Sequence, residues 1–342
     1  RLGRELAPVW ARDSLAGCEG AEAILAANGS AFIAAAVAER LDLPLVQGWL
    51  QPIAPTGAFT TPLMPPLPLR GAPARWTHHA MRRLIWSGMA DSIGELRRQL
   101  GLRPITGRAA WAGLDRRPGF CAVSPALIPR PADWPDAIRM TGFLFLDEPG
   151  WQPDPALKAF IEAGEPPLYI GFGSMTGRDP AALSRMLAEA IRRLGRRSLV
   201  SLGWGGLDRA VLTAARDDGL PLHLIEEAPH DRLLPQMAGA LHHGGAGTTA
   251  AVLRAGLPSA VLPFLGDQPF WADRLHRAGA APPALSRRRL DTGSLAASLA
   301  RVLEDPALRE AARGLGAAIH AEDGTAAAAQ VVSAALEGPG AP

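Results

Sequence analysis

Short apolar runs alternate with amphipathic stretches through the second half of the chain. Each run has five or six residues, most of them apolar, and Gly, Ser or Pro often flanks it, which is typical of a buried parallel strand. Between the first two runs, Asp179 and Pro180 match the N-cap and first-turn preferences of a helix that continues to Leu194. The strand-like runs lie at residues 167–172, 198–203, 221–225, 239–244 and 259–264. This alternation predicts a doubly wound parallel α/β sheet.

The first half carries a weaker form of the same pattern. The run AILAA at 23–27, a small-residue helix over about 30–40 and the run LPLV at 43–46 predict a β-α-β unit. A proline-rich loop follows to about residue 70. Helical spacing of apolar residues over 78–100 then predicts an amphipathic helix whose buried face holds Met81, Leu84, Ile85, Met89, Ile93 and Leu96.

Prolines recur between residues 125 and 155, a pattern that is typical of a linker between domains. The chain has 342 residues, enough for two ordinary domains. We therefore predict a first domain over residues 1–150, a second over 156–325 and a C-terminal tail over 326–342.

The composition excludes several classes of protein. With 48% hydrophobic residues and a net charge of +2, the chain can bury a core and has no strongly basic footprint for nucleic acid. The two cysteines, Cys18 and Cys121, are too few for a disulfide scaffold or a zinc site, which suits the cytoplasm. Two long stretches carry no charged residue, but the one at 43–69 is rich in proline and the one at 233–253 contains glycines and histidines. Neither suits a membrane-spanning helix, so we expect at most peripheral membrane contact.

The candidate chemistry lies in the segment HHGGAGTTAAVLRAGLPSAVLPFLGDQPFW at residues 242–271. Three glycines, Gly244, Gly245 and Gly247, allow a sharp turn between a strand and a helix and the close approach of a ligand. Thr248 and Thr249 follow in the first helical turn, where free N–H groups and the helix dipole favour an anion. The spacing fits neither a Walker loop nor the dinucleotide fingerprint, and a turn that only packs a helix on a strand is the alternative. The adjoining histidines favour a diphosphate-binding turn.

This segment resembles the donor-binding signature of nucleotide-sugar-dependent glycosyltransferases of the GT-B fold, most closely that of the sterol glucosyltransferases. Further matching runs occur in the same order along the chain, at 123–134, 162–175, 203–206, 227–235, 266–271 and 322–328. The resemblance implies two Rossmann-like doubly wound parallel-sheet domains facing each other across a cleft. The first would bind the acceptor and the second the donor.

The resemblance also implies a role for individual residues. In that family the histidine before the glycines contacts the donor diphosphate, whereas its neighbour His242 is expected to end the strand and face the interior. An acid–amide pair binds sugar hydroxyls. The matching residues are His243, Ser174, Gly244, Gly245, Gly247 and Thr248 for the diphosphate, and Asp267 and Gln268 for the sugar.

The sequence departs from the related plant-type signature at two nucleoside positions. Glu227 stands where a tryptophan stacks on uracil, and Ala251 stands where a glutamate binds ribose. The nucleoside contacts must therefore differ from that pattern. Trp204, flanked by glycines at a strand end, is one candidate for the nucleoside, although it could instead pack in the core or against a linker. The backbone near Ala228 to His230 is the other candidate.

The catalytic base is the part of the family's machinery that the sequence does not supply. The family carries its general base on a glycine-rich loop after the first strand, and nothing before Cys18 resembles that strand and loop. The base is therefore expected upstream of Arg1, the first domain is expected to be incomplete, and the catalytic residue is unknown. His78 and His79 are the alternative, although paired histidines at a helix start are usually surface or capping residues.

The function that these residues imply is inverting transfer of a hexose, in the first instance glucose from UDP-glucose, to a hydroxyl of an apolar acceptor such as a sterol. No D-x-D run occurs in the sequence, so no metal is implied, and the UDP-sugar is a co-substrate beside which no cofactor is expected. Two alternatives remain. The chain could bind a UDP-sugar without turnover, or it could be an epimerase or a peptidoglycan-precursor transferase of the same fold.

Overall fold

The structure is a computed structural model that describes residues 2–177 and 179–337. These residues form two compact units. The first unit takes in the described residues up to 144 and those from 322 onward, and the second takes in the described residues from 145 to 321. Within the described part of the chain, no helix is both long and apolar enough to cross a membrane.

A four-stranded parallel sheet forms the centre of the first unit. Its strands follow chain order, and neighbours pair in parallel from Ile24 opposite Leu45 to Cys121 opposite Met140. The helices pack around it through a cluster of buried alanine, leucine and aromatic side chains. The elements are α1 (Leu2–Gly17), β1 (Ile24–Ala27), α2 (Ala31–Leu41), β2 (Leu45–Trp49), α3 (Gly71–Gln99), α4 (Gly107–Asp115), β3 (Gly119–Cys121) and β4 (Ile138–Met140).

Three expectations for this unit were wrong. Helix α3 begins at Gly71 rather than near residue 78, and Leu84 on it is 65% exposed, so the predicted apolar face is interrupted. The segment 125–155 is not simply a linker, because it contains β4 and because the boundary between the two units falls after residue 144. Strand β4 has only three residues, too few for a hydrophobic period to be detected.

A five-stranded parallel sheet forms the centre of the second unit. Its strand order is β7-β6-β5-β8-β9, so the first strand of the unit, β5, lies in the middle. The next two strands are added on one side of β5 and the last two on the other, which makes this the point where the strand order reverses. Every strand-like run of the second half contains one of these strands, as predicted. The elements are α5 (Pro155–Glu162), β5 (Leu168–Gly171), α6 (Pro180–Leu194), β6 (Ser198–Ser201), α7 (Arg209–Asp217), β7 (Leu222–Ile225), α8 (His230–Leu233), β8 (Gly239–His242), α9 (Ala246–Arg254), β9 (Ser259–Val261), α10 (Gln268–Arg277), α11 (Thr292–Glu304) and α12 (Pro306–His320).

The start of α6 shows how local chemistry fixes these elements. Asp179 accepts a hydrogen bond from the backbone N–H of Ala182, and Pro180 occupies the first helical position, as the sequence predicts. The helix then buries Leu187 and Ile191 in a core shared with Leu168 and Ile170 of β5. Alternate residues of β5 thus face opposite sides of the sheet, a property on which the site depends.

The described chain ends in a helix of the first unit and not in a tail. Helix α13 (Gly324–Leu336) buries Ala328 and Val331 against Val46 and Phe120. The predicted boundary at residue 325 and the tail over 326–342 therefore need correction up to residue 337, and residues 338–342 of that prediction lie outside the described residues. The packing was missed because α13 is alanine-rich and contacts strands more than two hundred residues earlier in sequence.

The beginning of this helix is tied to the same sheet. Glu322 accepts a 2.6 Å hydrogen bond from the hydroxyl of Ser124, just beyond β3. Burial raises the pKa of this carboxyl group. Gly142, just beyond β4, has no side chain to obstruct Glu322: a Cβ there would lie 2.8 Å from Oε2.

Candidate functional site

The candidate site lies at the carboxyl edge of the second sheet. In doubly wound sheets a ligand binds where neighbouring strands lead the chain to opposite faces. Here that position lies between β5 and β8, which pair in parallel from Leu168 opposite Gly239 to Gly171 opposite His242. The two segments that follow these strands are the GFGS turn and the glycine-rich turn on which the sequence interpretation depends.

The loops after β5 and β6 touch each other backbone to backbone. Gly173 and Gly203 both have φ of +58°, a conformation that favours glycine. A Cβ on Gly203 would overlap the carbonyl oxygen of Gly173, and that oxygen accepts a 3.2 Å hydrogen bond from the backbone N–H of Trp204. This close approach fixes the backbone of Trp204 at the edge of the sheet, where the residue is 82% exposed. It is therefore not the core tryptophan that the sequence left open as an alternative.

The turn from β8 to α9 has the geometry expected of an anion-binding turn. Gly244 has φ of +85°, and a Cβ there would lie 2.8 Å from Val261. Gly245 is the N-cap of α9 and no side chain caps the helix, so the first N–H groups are left for solvent or a ligand. Gly247 lies in that first turn with no atom within 4 Å of the position of a Cβ.

The two histidines before this turn differ as the sequence predicts. His242 ends β8 and is fully buried. Its Nδ1 accepts a 3.1 Å hydrogen bond from the backbone N–H of Gly244, and its Nε2 lies 3.2 Å from the hydroxyl of Ser259. Nδ1 accepts, so the proton of the neutral ring is on Nε2, which donates to Ser259. Burial lowers the pKa of His242 to about 3, so this ring supports the turn in its neutral form.

His243 occupies the space between the two glycine-containing turns. Its Cε1 would lie 3.3 Å from a Cβ on Gly173, and a Cβ on Gly245 would overlap its Nε2. The side chain is 9% exposed, and its Nδ1 is buried without a hydrogen-bond partner among the described residues. Burial lowers the pKa of His243, while Asp267 acts in the opposite direction. The imidazole is therefore neutral near pH 7 and can donate one N–H.

A cavity of about 530 Å³ opens beside these turns. Its volume falls within the range of ordinary small-molecule sites. Five residues named from the sequence line it, drawn from the loops after β5, β6 and β7 and from the start of α9: Ser174, Trp204, Ala228, His230 and Thr248. The structure therefore brings two diphosphate candidates, Ser174 and Thr248, together with the three nucleoside candidates in one cavity. His243 and the three glycines of the glycine-rich turn do not line it, but His243 lies beside Gly173, which does.

The cavity also contains residues that the sequence interpretation missed. Tyr169 of β5 has its hydroxyl 3.2 Å from Nε2 of His230. Beyond β7, Glu226 lines the cavity and forms an ion pair with Arg209. Glu227, which the sequence marks only as a departure from the plant-type signature, lines the cavity beside it. The only signal in the sequence for Tyr169 is its position in β5, which alternation places on the opposite face from Leu168 and Ile170.

The acid–amide pair lies beyond β9 and outside the cavity lining. Oδ2 of Asp267 accepts a 2.7 Å hydrogen bond from the indole N–H of Trp271. Oε1 of Gln268 accepts from the backbone N–H groups of Phe264 and Leu265, at 2.6 and 3.1 Å. The amide oxygen of Gln268 thus stabilises its own loop, so it is already engaged in hydrogen bonds within the protein. Oδ1 of Asp267, by contrast, has no hydrogen bond described.

The histidine pair considered as an alternative base lies in the first unit. His78 is not at a helix start, since α3 begins seven residues earlier, and it is 1% exposed rather than on the surface. Its Nε2 lies 3.0 Å from the carbonyl oxygen of Phe59, so it holds the proline-rich loop. Among the described residues, no group of three or more His, Cys, Asp or Glu side chains is arranged to hold a metal ion.

The catalytic base that the resemblance implies has no position in this structure. It was expected upstream of Arg1, and Arg1 itself lies outside the described residues, which begin at Leu2. The expectation therefore stays a prediction.

Comparison with known proteins extends the sequence resemblance over nearly the whole chain. A sterol 3-beta-glucosyltransferase of Arabidopsis thaliana is 36% identical over 311 residues, which are 90% of this chain and 47% of the relative. A sterol 3-beta-glucosyltransferase of Emericella nidulans is 34% identical over 328 residues, 92% of this chain and 23% of the relative. The chain is thus similar to sterol 3-beta-glucosyltransferases over most of its own length. It spans about half the length of the Arabidopsis relative and about a quarter of the fungal one.

The family described as Erythromycin biosynthesis protein CIII-like, C-terminal domain, matches residues 217–334 of this chain. Solved structures agree on the fold. The calicheamicin glycosyltransferase CalG4 has a TM-score of 0.66 and 19% identity, covering 99% of this chain and 81% of its own. The glycosyltransferase VinC, solved in complex with dTDP, has a TM-score of 0.65 and 17% identity, covering 98% and 81%. This chain therefore has the GT-B fold that its sequence predicts.

Proposed function

We propose that the protein is a glycosyltransferase that moves a hexose, in the first instance glucose from UDP-glucose, to the hydroxyl of a sterol or a similar apolar acceptor. The observation that carries the proposal is the glycine-rich turn with the uncapped N-terminus of α9, which opens on a cavity lined by Ser174, Trp204 and Thr248. The names of the relatives support the sterol acceptor and the transfer of glucose.

The order of the strands supports a nucleotide-sugar as the donor. From one edge of the sheet to the other, the strand ends present the Glu226–His230 segment, Trp204, Ser174, the glycine-rich turn and Asp267. A nucleoside, a diphosphate and a sugar come in the same order along such a ligand. Strands are about 4.8 Å apart, so the four intervals span roughly 19 Å, enough for an extended nucleotide-sugar.

In the proposed reaction the bond between the sugar's anomeric carbon and the diphosphate oxygen breaks, and the acceptor oxygen bonds to the opposite face of that carbon, which inverts its configuration. The leaving diphosphate keeps the electron pair. The helix dipole of α9, the hydroxyl of Ser174 and an N–H of His243 would stabilise its charge, so we propose neither a metal nor a further cofactor. The acceptor proton must pass to a base, to which we assign no residue.

A UDP-sugar-binding protein without transfer activity is the second candidate, because the chain spans only part of its relatives and the base is unassigned. The dTDP bound to VinC makes dTDP-sugars a second donor class to test. We propose a cytoplasmic location, with peripheral membrane contact where the acceptor is a membrane sterol.

Calorimetric titration with UDP, dTDP, GDP and ADP, followed by a transfer assay with radiolabelled UDP-glucose and a detergent-dispersed sterol, tests the proposal. His223→Asn is a matched control, because His223 stacks on Phe160 at 5.2 Å and does not line the cavity. We expect UDP to bind the wild type and this control equally. If UDP does not bind the folded protein, the proposal is wrong; if UDP binds and no sugar is transferred, the second candidate is correct.

A further inference from the structure

The protein has a single tyrosine, and its hydroxyl lies at the cavity described above. Tyr169 is 4% exposed and packs in a different apolar cluster from its β5 neighbours Leu168 and Ile170. The ring lies among buried side chains such as Leu199 and Leu233, while the hydroxyl reaches the carboxyl edge of the sheet. A buried phenol whose polar end meets a cavity needs a hydrogen-bond partner.

One such partner is His230. The Tyr169 hydroxyl lies 3.2 Å from Nε2 of His230, and the two rings meet edge to face with centroids 5.8 Å apart. Gly171 leaves room for this contact, because a Cβ there would overlap the hydroxyl. Tyr169, Gly171 and His230 therefore form one packed unit in the wall of the cavity.

The hydrogen bond between the two rings joins two neutral groups. Burial raises the pKa of Tyr169 to about 12, so the phenol keeps its proton at neutral pH. Burial is also the largest effect on His230 and lowers its pKa, so the imidazole is neutral. The phenol has a second hydrogen-bond partner in Ser201, whose own hydroxyl donates to the carbonyl oxygen of Glu226 at 3.1 Å. Tyr169 thus connects His230 to the segment that follows β7.

We propose that Tyr169 is a positioning residue, which holds the ring of His230 in the orientation in which it meets the nucleoside of the bound nucleotide. This inference rests on the proposed nucleotide-sugar donor. It assigns Tyr169 no contact with the diphosphate, because Tyr169 acts through a residue beyond β7 while the uncapped turn follows β8. The substitutions that test it should therefore affect a nucleotide and not inorganic pyrophosphate.

A single tyrosine makes the first test direct. Protein labelled with [ζ-¹³C]tyrosine gives one signal, from Tyr169, whose shift reports the hydrogen bond of the phenol. We expect saturation with UDP to move this signal and saturation with inorganic pyrophosphate to leave it within the line width. A signal that does not respond to UDP, or that responds equally to both, overturns the proposal.

A double-mutant cycle provides the second test, with UDP affinity as the readout. Tyr169→Phe keeps the buried ring and removes only the hydroxyl, and we expect about a 3- to 10-fold loss of affinity, the effect of one neutral hydrogen bond. In the His230→Ala background the same substitution should change the affinity less than about 1.5-fold, because the residue through which Tyr169 acts is absent. Equal losses in both backgrounds overturn the proposal.

A third variant displaces the Tyr169 hydroxyl without removing it, and thermal melting checks that each variant is folded. Gly171→Ala should displace the hydroxyl and reproduce the loss shown by Tyr169→Phe, while Tm measurements identify any variant that no longer folds. If the wild type fails to bind UDP, the proposed function is wrong and this inference with it. If UDP binds with the same affinity to wild type, Tyr169→Phe and Gly171→Ala, only this inference is wrong.

Discussion

Replacing Gly245 by alanine tests whether the position of the His243 ring controls nucleotide binding. The backbone at Gly245, with φ of −65° and ψ of 148°, is one that alanine adopts without strain. The added methyl group would lie 3.2 Å from both Cδ2 and Cε1 of His243 and overlap Nε2. Because the backbone tolerates the change, the whole perturbation acts on the imidazole.

The size of the effect follows from how tightly the ring is held. His243 is 9% exposed and lies against Gly173 on its other side, so it cannot move away without displacing a neighbour. Overpacking of this kind costs about 1–3 kcal/mol of stability. Loss of the hydrogen bond to a charged phosphate costs about 1.5–3 kcal/mol. At about 1.4 kcal/mol for each tenfold change, we expect UDP affinity to fall by about 10- to 100-fold.

Isothermal titration of UDP measures this loss, with Gly314→Ala as the control. Gly314 lies in α12 of the same unit, and a Cβ there meets no atom within 4 Å. In a helix interior this substitution should raise stability by about 0.5–1 kcal/mol and leave UDP affinity unchanged. Wild-type affinity in folded Gly245→Ala would show that the ring position has no bearing on binding and would refute the assignment of His243.

The other predictions concern the neighbours of this turn. We expect His243→Ala to lower UDP affinity and to reduce any transfer by about 10²-fold or more; equal titration curves for this variant and wild type would contradict it. Asp267→Asn, which can still accept from Trp271, should reduce discrimination between UDP-glucose and UDP while UDP affinity stays constant, and parallel losses for both ligands would indicate a structural role. Gln268→Ala should lower Tm, since two backbone N–H groups lose their acceptor; an unchanged Tm would count against it. Burial lowers the pKa of His242 to about 3 from its ordinary 6.5, so the unfolded chain takes up this proton first and the free energy of unfolding should fall as the pH decreases from about 6.5 towards 3. His242→Asn should flatten that slope in denaturant titrations, and an identical slope would show that this ring does not contribute.

The second unit could be predicted in detail because its signals are local. Its buried strands form continuous apolar runs, and the start of α6 follows from two adjacent residues, Asp179 and Pro180. The different environments of His242 and His243 follow equally from position, since one ends a strand and the other begins a turn. Glycine-rich turns at strand ends likewise indicated where a ligand binds, because few other residues allow that backbone.

The features that could not be predicted depend on partners distant in sequence. Helix α13 was interpreted as a tail because nothing in its own composition shows that it packs on β2 and β3. His78 resembled a surface residue because its contact, the carbonyl oxygen of Phe59, belongs to a loop without periodicity. The bonds from Gln268 to its own loop are short in range, yet an amide before a proline gives no sign of which atoms it binds.

The residues that line the cavity also divide into those with a local signal in the sequence and those without one. Those on turns could be named from the sequence, because glycines and a helix start mark the backbone that a ligand approaches. Tyr169 could not, because it lies inside a strand and reaches the cavity only through the length of its side chain and the absence of a Cβ on Gly171. Within an apolar strand, alternation tells which face a residue occupies but not whether its polar end extends beyond the core. A residue of this kind, which acts on the site from inside the sheet, becomes visible only when the neighbouring strand ends have been placed around it.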